Sequence, residues 1–263
     1  MLAFIWNNIL VNPILNGLVA LYQIFGSLGI SIIILTLIIR GILVPVVAPS
    51  LKAMKKQRDL QPEINKLKEK YSYDKQLLAQ KQMELFKQHG INPMSGCLNQ
   101  VIMILVLIAL YNVIRKFTLN GTAEELNNGI YFTALKFAEG TIIPTKFLYL
   151  DLAKPDPYFG LALLSGLLQF IASKMTIPYV ELAEKAAEKT PAKSDDIAMA
   201  MQQQSLYMMP IMNVIIGVTL PAGVVLYILT TTLFTIVQNY FISGLGGLKP
   251  WVAKAKKLLR KNK

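Results

Sequence analysis

The sequence has only one cysteine, Cys97, and one histidine, His89, among its 263 residues. A single cysteine excludes a disulfide within the chain and any metal site built from several cysteines. The sequence also lacks a glycine-rich phosphate loop and a serine nucleophile elbow, which are the common marks of nucleotide-dependent enzymes and hydrolases. These absences predict a protein that is not an enzyme and that uses no metal or other cofactor.

Charged residues are also scarce, at 16% of the chain, whereas hydrophobic residues make up 54% and the mean hydropathy is +0.45. The hydrophobic residues gather in runs long enough to cross a bilayer. A polypeptide backbone in lipid must satisfy its own hydrogen bonds, which helices do within one segment. We therefore predict an all-α integral membrane protein.

Five segments have the length and apolarity of transmembrane helices. They are residues 28–47, 97–116, 158–176, 206–220 and 222–243. The last two meet at the sequence LPAG, a proline-glycine turn that predicts a tight hairpin between them.

The N-terminal stretch, residues 1–27, is apolar but has no basic region or cleavage site typical of a signal peptide. Asn12 and Pro13 interrupt it, and proline is disfavoured inside a helix, so we expect a helix over 14–25 at most. That length is too short to span, which predicts an interfacial helix on the extracytoplasmic side. A kinked additional span is the alternative.

The basic residues are distributed unevenly between the connecting segments. Segment 48–96 carries ten lysines and arginines, and the tail 244–263 carries seven with no acidic residue. Segment 117–157 has three lysines against five acids, and the loop 177–205 is also rich in acids. By the positive-inside rule, the first two segments lie in the cytoplasm. The predicted topology is therefore N-out and C-in, with 117–157 outside and 177–205 in the cytoplasm.

The cytoplasmic segment 48–96 has the pattern of two charged helices, each with a narrow apolar stripe. Asp74 is a natural N-cap for the second helix, and Gly90 a natural stop. We predict an antiparallel helical hairpin, with a solvated spacer as the alternative. The residues of the stripes are Leu60, Ile64, Leu67 and Tyr71 in the first helix and Leu78, Gln82 and Leu85 in the second.

Arg40 is the only charge well inside a predicted span, because all fifteen acids fall in the connecting segments. Such a charge costs about 2.5–3.5 kcal/mol on insertion scales, so it is expected to meet water, polar side chains or a ligand. Other spans carry polar residues at spacings that place them on single helix faces. With Arg40, the candidate site residues are Thr36, Gln100, Gln169, Tyr227, Thr231 and Gln238.

Two other interpretations of these polar residues stay open. Hydrogen bonds between helices account well for the threonines, since such bonds are common in membranes. A small transporter or channel for an anionic solute would also use an intramembrane arginine. The chain has no paired inverted repeat, however, and its five spans do not divide into equal halves.

Several longer motifs resemble the YidC family of membrane protein insertases, whose superfamily includes the mitochondrial Oxa and chloroplast Alb insertases. They are SIIILTLIIRGILVP, MKKQRDLQPEINKLKEKY, HGINPMSGCL, LLQFIASKM and MMPIMNVIIGVTLPAGVVLYILTTTLFTIVQNYFI. The resemblance covers nearly the whole chain and indicates the short form of the family, without its large periplasmic domain.

The resemblance implies five transmembrane helices around a hydrophilic groove that is open to the cytoplasm and to lipid. Arg40 matches the groove arginine of the family, and Gln169 and Tyr227 match its lining. The chain departs from the family pattern at three points: Asn99 stands where proline is usual, the glutamine expected near Met103 is Gln100, one turn earlier, and Ile228 stands where an aromatic residue follows the tyrosine. These departures imply that the fine contacts with substrate differ from those of the family.

The implied function is insertion of newly made membrane proteins into the plasma membrane of a bacterium. The implied substrates have short or acidic outer segments, the Sec translocon is an implied partner, and the protein is expected to work as a monomer among membrane lipids. The basic tail resembles extensions that approach the ribosome, although anionic lipid would attract the same charges. Its candidate contact residues are Lys254, Lys256, Lys257, Arg260, Lys261 and Lys263.

Overall fold

The computed structural model of the protein describes residues 4, 6–91, 95–118, 126–176 and 195–254, with the side chains of 75, 95–100 and 195–205 left aside. Within these ranges the chain is almost entirely helical, so the predicted all-α class is confirmed. The helices are α1 (Asn12–Phe25), α2 (Leu28–Asp59), α3 (Gln61–Lys70), α4 (Lys75–Gln88), α5 (Ser95–Thr118), α6 (Gly160–Thr176), α7 (Asp195–Thr219) and α8 (Ala222–Ser243). The sheet in the described ranges is a hairpin of β1 (Lys146–Phe147) and β2 (Leu150–Asp151).

Each of the five predicted spans falls on a helix, namely α2, α5, α6, α7 and α8. Three helices of the described chain are long and apolar enough to cross a membrane, as judged by length and composition. They are Asn7–Phe25, α2 and α8. Helix α6 and the part of α7 from Leu206 are apolar but shorter.

Helix α2 extends well beyond the predicted end near residue 47, because it continues through Pro45 and Pro49 to Asp59. A proline inside a helix costs about 3 kcal/mol. Val47 and Leu51 are both buried on this part of the helix. Burial of such side chains contributes about 1.5–3 kcal/mol each, which offsets the cost of the prolines. Helix α7 likewise begins at Asp195, before the predicted start at 206.

The N-terminal helix was predicted too short, because Pro13 does not interrupt it. A π-helical turn, Asn7–Val11, runs directly into α1, and the Asn12 amide donates to the Asn7 carbonyl. Pro13 is the second residue of α1 and directly follows this turn, so its missing N–H leaves one hydrogen bond of the helix unmade without ending the helix. The continuous helix, Asn7–Phe25, has 19 residues. The prediction that this segment is too short to span is therefore wrong, while its interfacial placement stays a prediction.

The chain forms two compact units. The first comprises Met1–Val44, Gln100–Leu168 and Met212–Phe234, and the second comprises Pro45–Asn99, Gln169–Ile211 and Thr235–Lys263. The first unit has a continuous apolar core to which α1, α2, α5 and α8 each contribute. Among its fully buried side chains are Leu15, Leu18, Leu28, Ile32, Leu110, Ile114, Leu126, Leu152, Val224 and Val225.

Helices α3 and α4 form the predicted antiparallel hairpin in the second unit. Leu60 and Ile64, at the start of α3, pack with Leu85 and Ile91, at the end of α4. Asp74 caps α4 as expected, because its carboxylate accepts from the amides of Gln76 and Leu77 at 3.0 Å each. Gly90 ends the helix with a left-handed φ of 62°. The predicted stripes are therefore confirmed in part, for Leu60, Ile64, Leu67 and Leu85, whereas Phe86 and Ile91 join the cluster in place of Tyr71, Leu78 and Gln82.

The described part of the segment between α5 and α6, residues 126–159, is held against the rest of the first unit by buried polar groups. The side-chain amide of Asn16 in α1 donates to the Gly129 carbonyl at 2.8 Å, and its carbonyl accepts from the Tyr131 amide at 2.8 Å. Further along, the amide of Gly223, the last residue of the LPAG turn, donates to the Leu152 carbonyl at 3.1 Å. The turn between α7 and α8 was predicted, but its contact with this segment was not.

Candidate functional site

Arg40 lies on α2 with its side chain almost fully buried, at 6% exposure. One guanidinium nitrogen, Nη2, donates to the Thr231 carbonyl on α8 at 3.3 Å. The guanidinium carbon lies 6.0 Å from the centre of the Phe234 ring, and the Tyr227 phenol lies within electrostatic range. Tyr227, Thr231 and Phe234 are spaced by four and three residues, so one face of α8 supplies all three contacts. We call Arg40 with this face the arginine site.

The partners of Arg40 in the arginine site are a backbone carbonyl, a phenol and a phenyl ring. These groups hold the guanidinium by its polarity and its planar face. None of the three carries a negative charge that would neutralise it. The arrangement therefore fixes a cation in a largely apolar wall, where its field is screened less than it would be in water.

Besides Arg40, three of the sequence-predicted residues on α2 and α8 lie in the first unit, and two of them meet Arg40 while the third bonds within its own helix. Tyr227 and Thr231 are brought to Arg40 by α8. Thr36, one turn before Arg40, is buried, and its hydroxyl donates to the Ile32 carbonyl at 2.6 Å. Such a bond within one helix is common for threonine and satisfies the hydroxyl locally. Thr36 thus belongs to the packing beside the site.

The three predicted glutamines are placed differently. Gln238 is buried on α8 in the second unit, and its side-chain nitrogen makes no hydrogen bond to any described residue. Gln169 is half-buried on α6, also in the second unit. Gln100 lies on α5, but its side chain falls outside the described residues. A role for these glutamines at the site stays a prediction.

Sequence reasoning missed two buried residues of the spans that each have a side-chain atom without a hydrogen-bond partner among the described residues. Ser165 on α6 is fully buried, and its hydroxyl finds no hydrogen-bond partner among the described residues. It lies four residues before Gln169, so the same helical spacing would have identified it. Asn239 is also buried with its side-chain oxygen unsatisfied among the described residues, but it follows Gln238 directly and therefore points to another side of α8.

A second arginine, Arg58, served in the sequence analysis only as one of the charges that predict the cytoplasmic side. In the structure, it forms hydrogen bonds within the second unit. Its Nη1 donates to the Met175 carbonyl at 3.0 Å, and its Nη2 donates to the Ser243 carbonyl at 2.9 Å. These carbonyls belong to the last turns of α6 and α8. A cation at a helix C-terminus is favoured by the helix dipole and by the carbonyls that have no partner within the helix.

The basic tail begins with an aromatic contact to the same helix end. The Lys174 ammonium on α6 lies 3.4 Å from the centre of the Trp251 ring and 5.6 Å from the centre of the Phe170 ring, and the two ring centres are 6.3 Å apart. Lys254 is exposed just beyond Trp251. The remaining predicted tail contacts, Lys256, Lys257, Arg260, Lys261 and Lys263, lie outside the described residues.

Comparison with known proteins identifies a family and several relatives to which this chain is similar. The family model described as 60Kd inner membrane protein matches residues 20–246. A membrane protein insertase YidC of Fusobacterium nucleatum is 34% identical over 223 residues, which cover 84% of this chain and 88% of the relative. A membrane protein insertase YidC 2 of Bacillus anthracis is 32% identical over 245 residues, covering 91% and 82% respectively.

A longer relative is similar over part of its length only. The membrane protein insertase YidC of Geobacter sulfurreducens is 30% identical over 238 residues, which cover 90% of this chain but 38% of the relative. The arginine site and the helical hairpin both lie inside the matched region of the family model.

Proposed function

Since the chain belongs to the 60Kd inner membrane protein family, which is the family of the YidC insertases, we propose that it inserts newly made membrane proteins into the lipid bilayer. It is a multi-pass protein of a bacterial inner membrane. The names of the relatives describe insertion and no chemical reaction, which favours a function without enzymatic catalysis. Family membership also favours insertion over transport of an anionic solute.

The observation that carries the mechanism is the buried cation of the arginine site. Inserting a small membrane protein requires its polar or acidic outer segment to cross the bilayer, whereas its apolar segment partitions into lipid favourably. Arg40 offers a positive charge within an apolar wall, where Thr231, Tyr227 and Phe234 contact it. An acidic residue of the substrate would be attracted to this charge partway across, which lowers the barrier for its segment.

No nucleotide is required for this process. Apolar partitioning contributes about 0.8 kcal/mol for each CH₂ group that leaves water. For acidic tails the membrane potential adds about 2.3 kcal/mol per charge for every 100 mV. The proposed groove, with Gln100, Gln169 and Gln238 as further lining, would keep the advancing segment hydrated until these terms take effect.

The proposed topology follows the distribution of charge, with the N-terminus outside and the C-terminus in the cytoplasm. The helical hairpin of α3 and α4 and the basic tail then face the cytoplasm, where a substrate first arrives. We place the ribosome at the tail and the Sec translocon beside the spans as partners, and the protein acts as a monomer in this scheme.

The test is insertion of a short single-span protein with an acidic outer tail into proteoliposomes that contain only this chain. Protease protection of the tail gives the rate. We expect Arg40→Ala to slow insertion about tenfold or more, and Arg40→Lys to retain part of the activity, because the charge remains without the planar contacts. Arg115→Ala removes an exposed cation at the end of α5 and serves as the matched control.

A second substrate makes the test specific to charge. Its acidic tail residues are replaced by the neutral amides, and its insertion should depend little on Arg40. Equal insertion of the acidic substrate by all variants would contradict the role given to Arg40. Two results together would contradict the insertase function and favour the transporter. They are failure of the wild-type chain to insert the substrate, and solute flux through proteoliposomes that contain this chain but no substrate protein.

A further inference from the structure

Two residues other than glycine have a left-handed backbone in the described part of the chain. They are Leu148, with φ 54°, and Phe159, with φ 55°. This conformation is uncommon for any side chain and unfavourable for large ones. Both residues are large and apolar, and they are exposed by 84% and 47% respectively. A sequence that needed only a turn at these points would be better served by glycine or asparagine.

Leu148 lies at the tip of the β1–β2 hairpin, whose base is firmly held. The Phe147 ring packs against Gly29 on α2, so closely that a Cβ atom at position 29 would overlap the ring. Leu150 is buried, and the Thr145 hydroxyl donates to the Asp151 carboxylate at 2.7 Å, which lowers the pKa of that carboxyl. The hairpin therefore presents Leu148 outward from a fixed base.

Phe159 lies at the start of α6 and is brought to the hairpin by Asp156. The buried Asp156 carboxylate accepts from the amides of Tyr158 and Leu161 at 3.0 and 2.7 Å, which caps α6. The Tyr149 hydroxyl donates to the same carboxylate at 3.3 Å, and the Tyr149 and Tyr158 ring centres are 6.1 Å apart. The exposed side chains of Leu148, Tyr149, Tyr158 and Phe159 thus form one patch, which we call the tip patch.

The tip patch continues into the outer surface of α6. The Leu163 amide donates to the Phe159 carbonyl at 2.9 Å, so Phe159 is in register with the helix. Leu163 and Leu167 follow at intervals of four residues and are both exposed. An exposed apolar helix face on a membrane protein is suited to contact with lipid. The patch therefore extends this apolar surface past the end of its helix.

The border of the patch matches the chemistry of a membrane interface. Tyr149 and Tyr158 have an apolar ring with a polar end, which is the character enriched at the level of lipid headgroups. Lys146 and Lys154 are exposed on the hairpin and just after it, where their charges would meet anionic headgroups. We propose that the tip patch inserts into the boundary between headgroups and acyl chains, with Leu148 and Phe159 contacting the acyl chains. This inference goes beyond the proposed function, because it concerns how the molecule is anchored in lipid.

Depth-dependent fluorescence quenching tests the proposal. The full chain with Cys97→Ser carries one new cysteine, from Leu148→Cys or from Tyr158→Cys, labelled with an environment-sensitive dye. It is reconstituted into vesicles of phosphatidylcholine and phosphatidylglycerol that contain lipids with a quencher near the top of the acyl chain. Glu139→Cys, an exposed position in the same segment, is the matched control.

We expect the dye at 148 and at 158 to be quenched several times more strongly than the dye at 139. Quenching at 148 and 158 no greater than at 139 would overturn the proposal. Emission that changes with the amount of protein per vesicle but not with the quencher would also overturn it, since a second copy of the chain would then cover the patch.

A second variant separates the side chain from the backbone. Leu148→Asn keeps a residue that accepts the left-handed conformation but prefers water, so the hairpin should form as before. With the dye at 158, we expect this change to reduce quenching clearly. Unchanged quenching would overturn the role given to Leu148, and the dye at 158 reports it even if labelling at 148 disturbs the hairpin.

Discussion

Arg58 is the residue where one side chain holds the ends of two helices. Arg58→Ala would leave the Met175 and Ser243 carbonyls without their charged donor, and a hydrogen bond to a charged group is worth about 1.5–3 kcal/mol. We expect the free energy of unfolding in detergent to fall by about 3 kcal/mol, with faster amide exchange after residue 243. Denaturant unfolding measures the first effect and hydrogen exchange the second.

Two variants control the Arg58 prediction. Arg58→Lys keeps the charge but has a single ammonium, so it should recover about half of the loss. Lys56→Ala removes an exposed cation from the same helix and should change stability by less than about 0.5 kcal/mol. If Arg58→Ala and Lys56→Ala behaved alike, the two hydrogen bonds would contribute little to the fold.

At the same scale, the sequence predicted Arg40 but not Arg58. A charge among apolar residues is visible in the sequence, because every neighbour sets it apart. Arg58 stands among other basic residues, and its two acceptors lie 117 and 185 residues away along the chain. Backbone carbonyls at helix ends leave no mark in the side-chain pattern, so this contact could not be inferred. Ser165 could have been predicted from the sequence, since its spacing of four residues from Gln169 places both on one helix face.

At the scale of the elements, the cap of α4 makes a local prediction. Asp74→Ala removes the acceptor for the amides of Gln76 and Leu77 and should cost about 1 kcal/mol of helix stability. Asp74→Ser keeps an acceptor and should cost only a few tenths. Amide exchange at 76 and 77 is the measurement, and equal exchange rates in the two variants would contradict the capping role.

Helix boundaries were the part of the elements least determined by local pattern. The caps of α4 and the LPAG turn carry explicit turn residues, and both were predicted correctly. Pro13 was expected to interrupt the N-terminal helix and α2 was expected to end near residue 47, yet the chain is helical through Pro13, Pro45 and Pro49. Pro13 leaves one hydrogen bond of its helix unmade without ending it, and the other two prolines lie near buried Val47 and Leu51. Tertiary packing, which the local sequence does not reveal, decided these boundaries.

At the scale of the whole molecule, the basic tail tests which partner the protein meets in the cytoplasm. The variant replaces Lys256, Lys257, Arg260, Lys261 and Lys263 by glutamine and leaves Trp251 on Lys174. If the tail binds ribosomal RNA, each lost phosphate contact reduces the slope of log affinity against log salt by about 0.7–0.9. We expect ribosome co-sedimentation across a salt series to show this decrease.

Vesicle flotation gives the other arm of the tail experiment. Lys249→Gln, which changes one cation before Trp251, is the control and should reduce the slope by no more than one contact. An unchanged ribosome slope, with weaker binding to vesicles containing anionic lipid, would assign the tail to the membrane.

The family, the all-helical class and the hairpin were predictable for the whole molecule because long apolar runs and charge patterns encode them. The course of segment 126–159 was not, since its contacts join distant parts of the chain.

The bonds of Asn16 also set an order of events while the chain is being made. Its side chain reaches full hydrogen bonding only with Gly129 and Tyr131, which are synthesised 113 and 115 residues later. At about 5–20 residues per second, this gap lasts roughly 6–23 s. Helix α1 therefore reaches its final hydrogen bonds only after residues 129 and 131 have been made, and the nascent chain closes back onto α1 before the last part of the first unit, Met212–Phe234, has been synthesised.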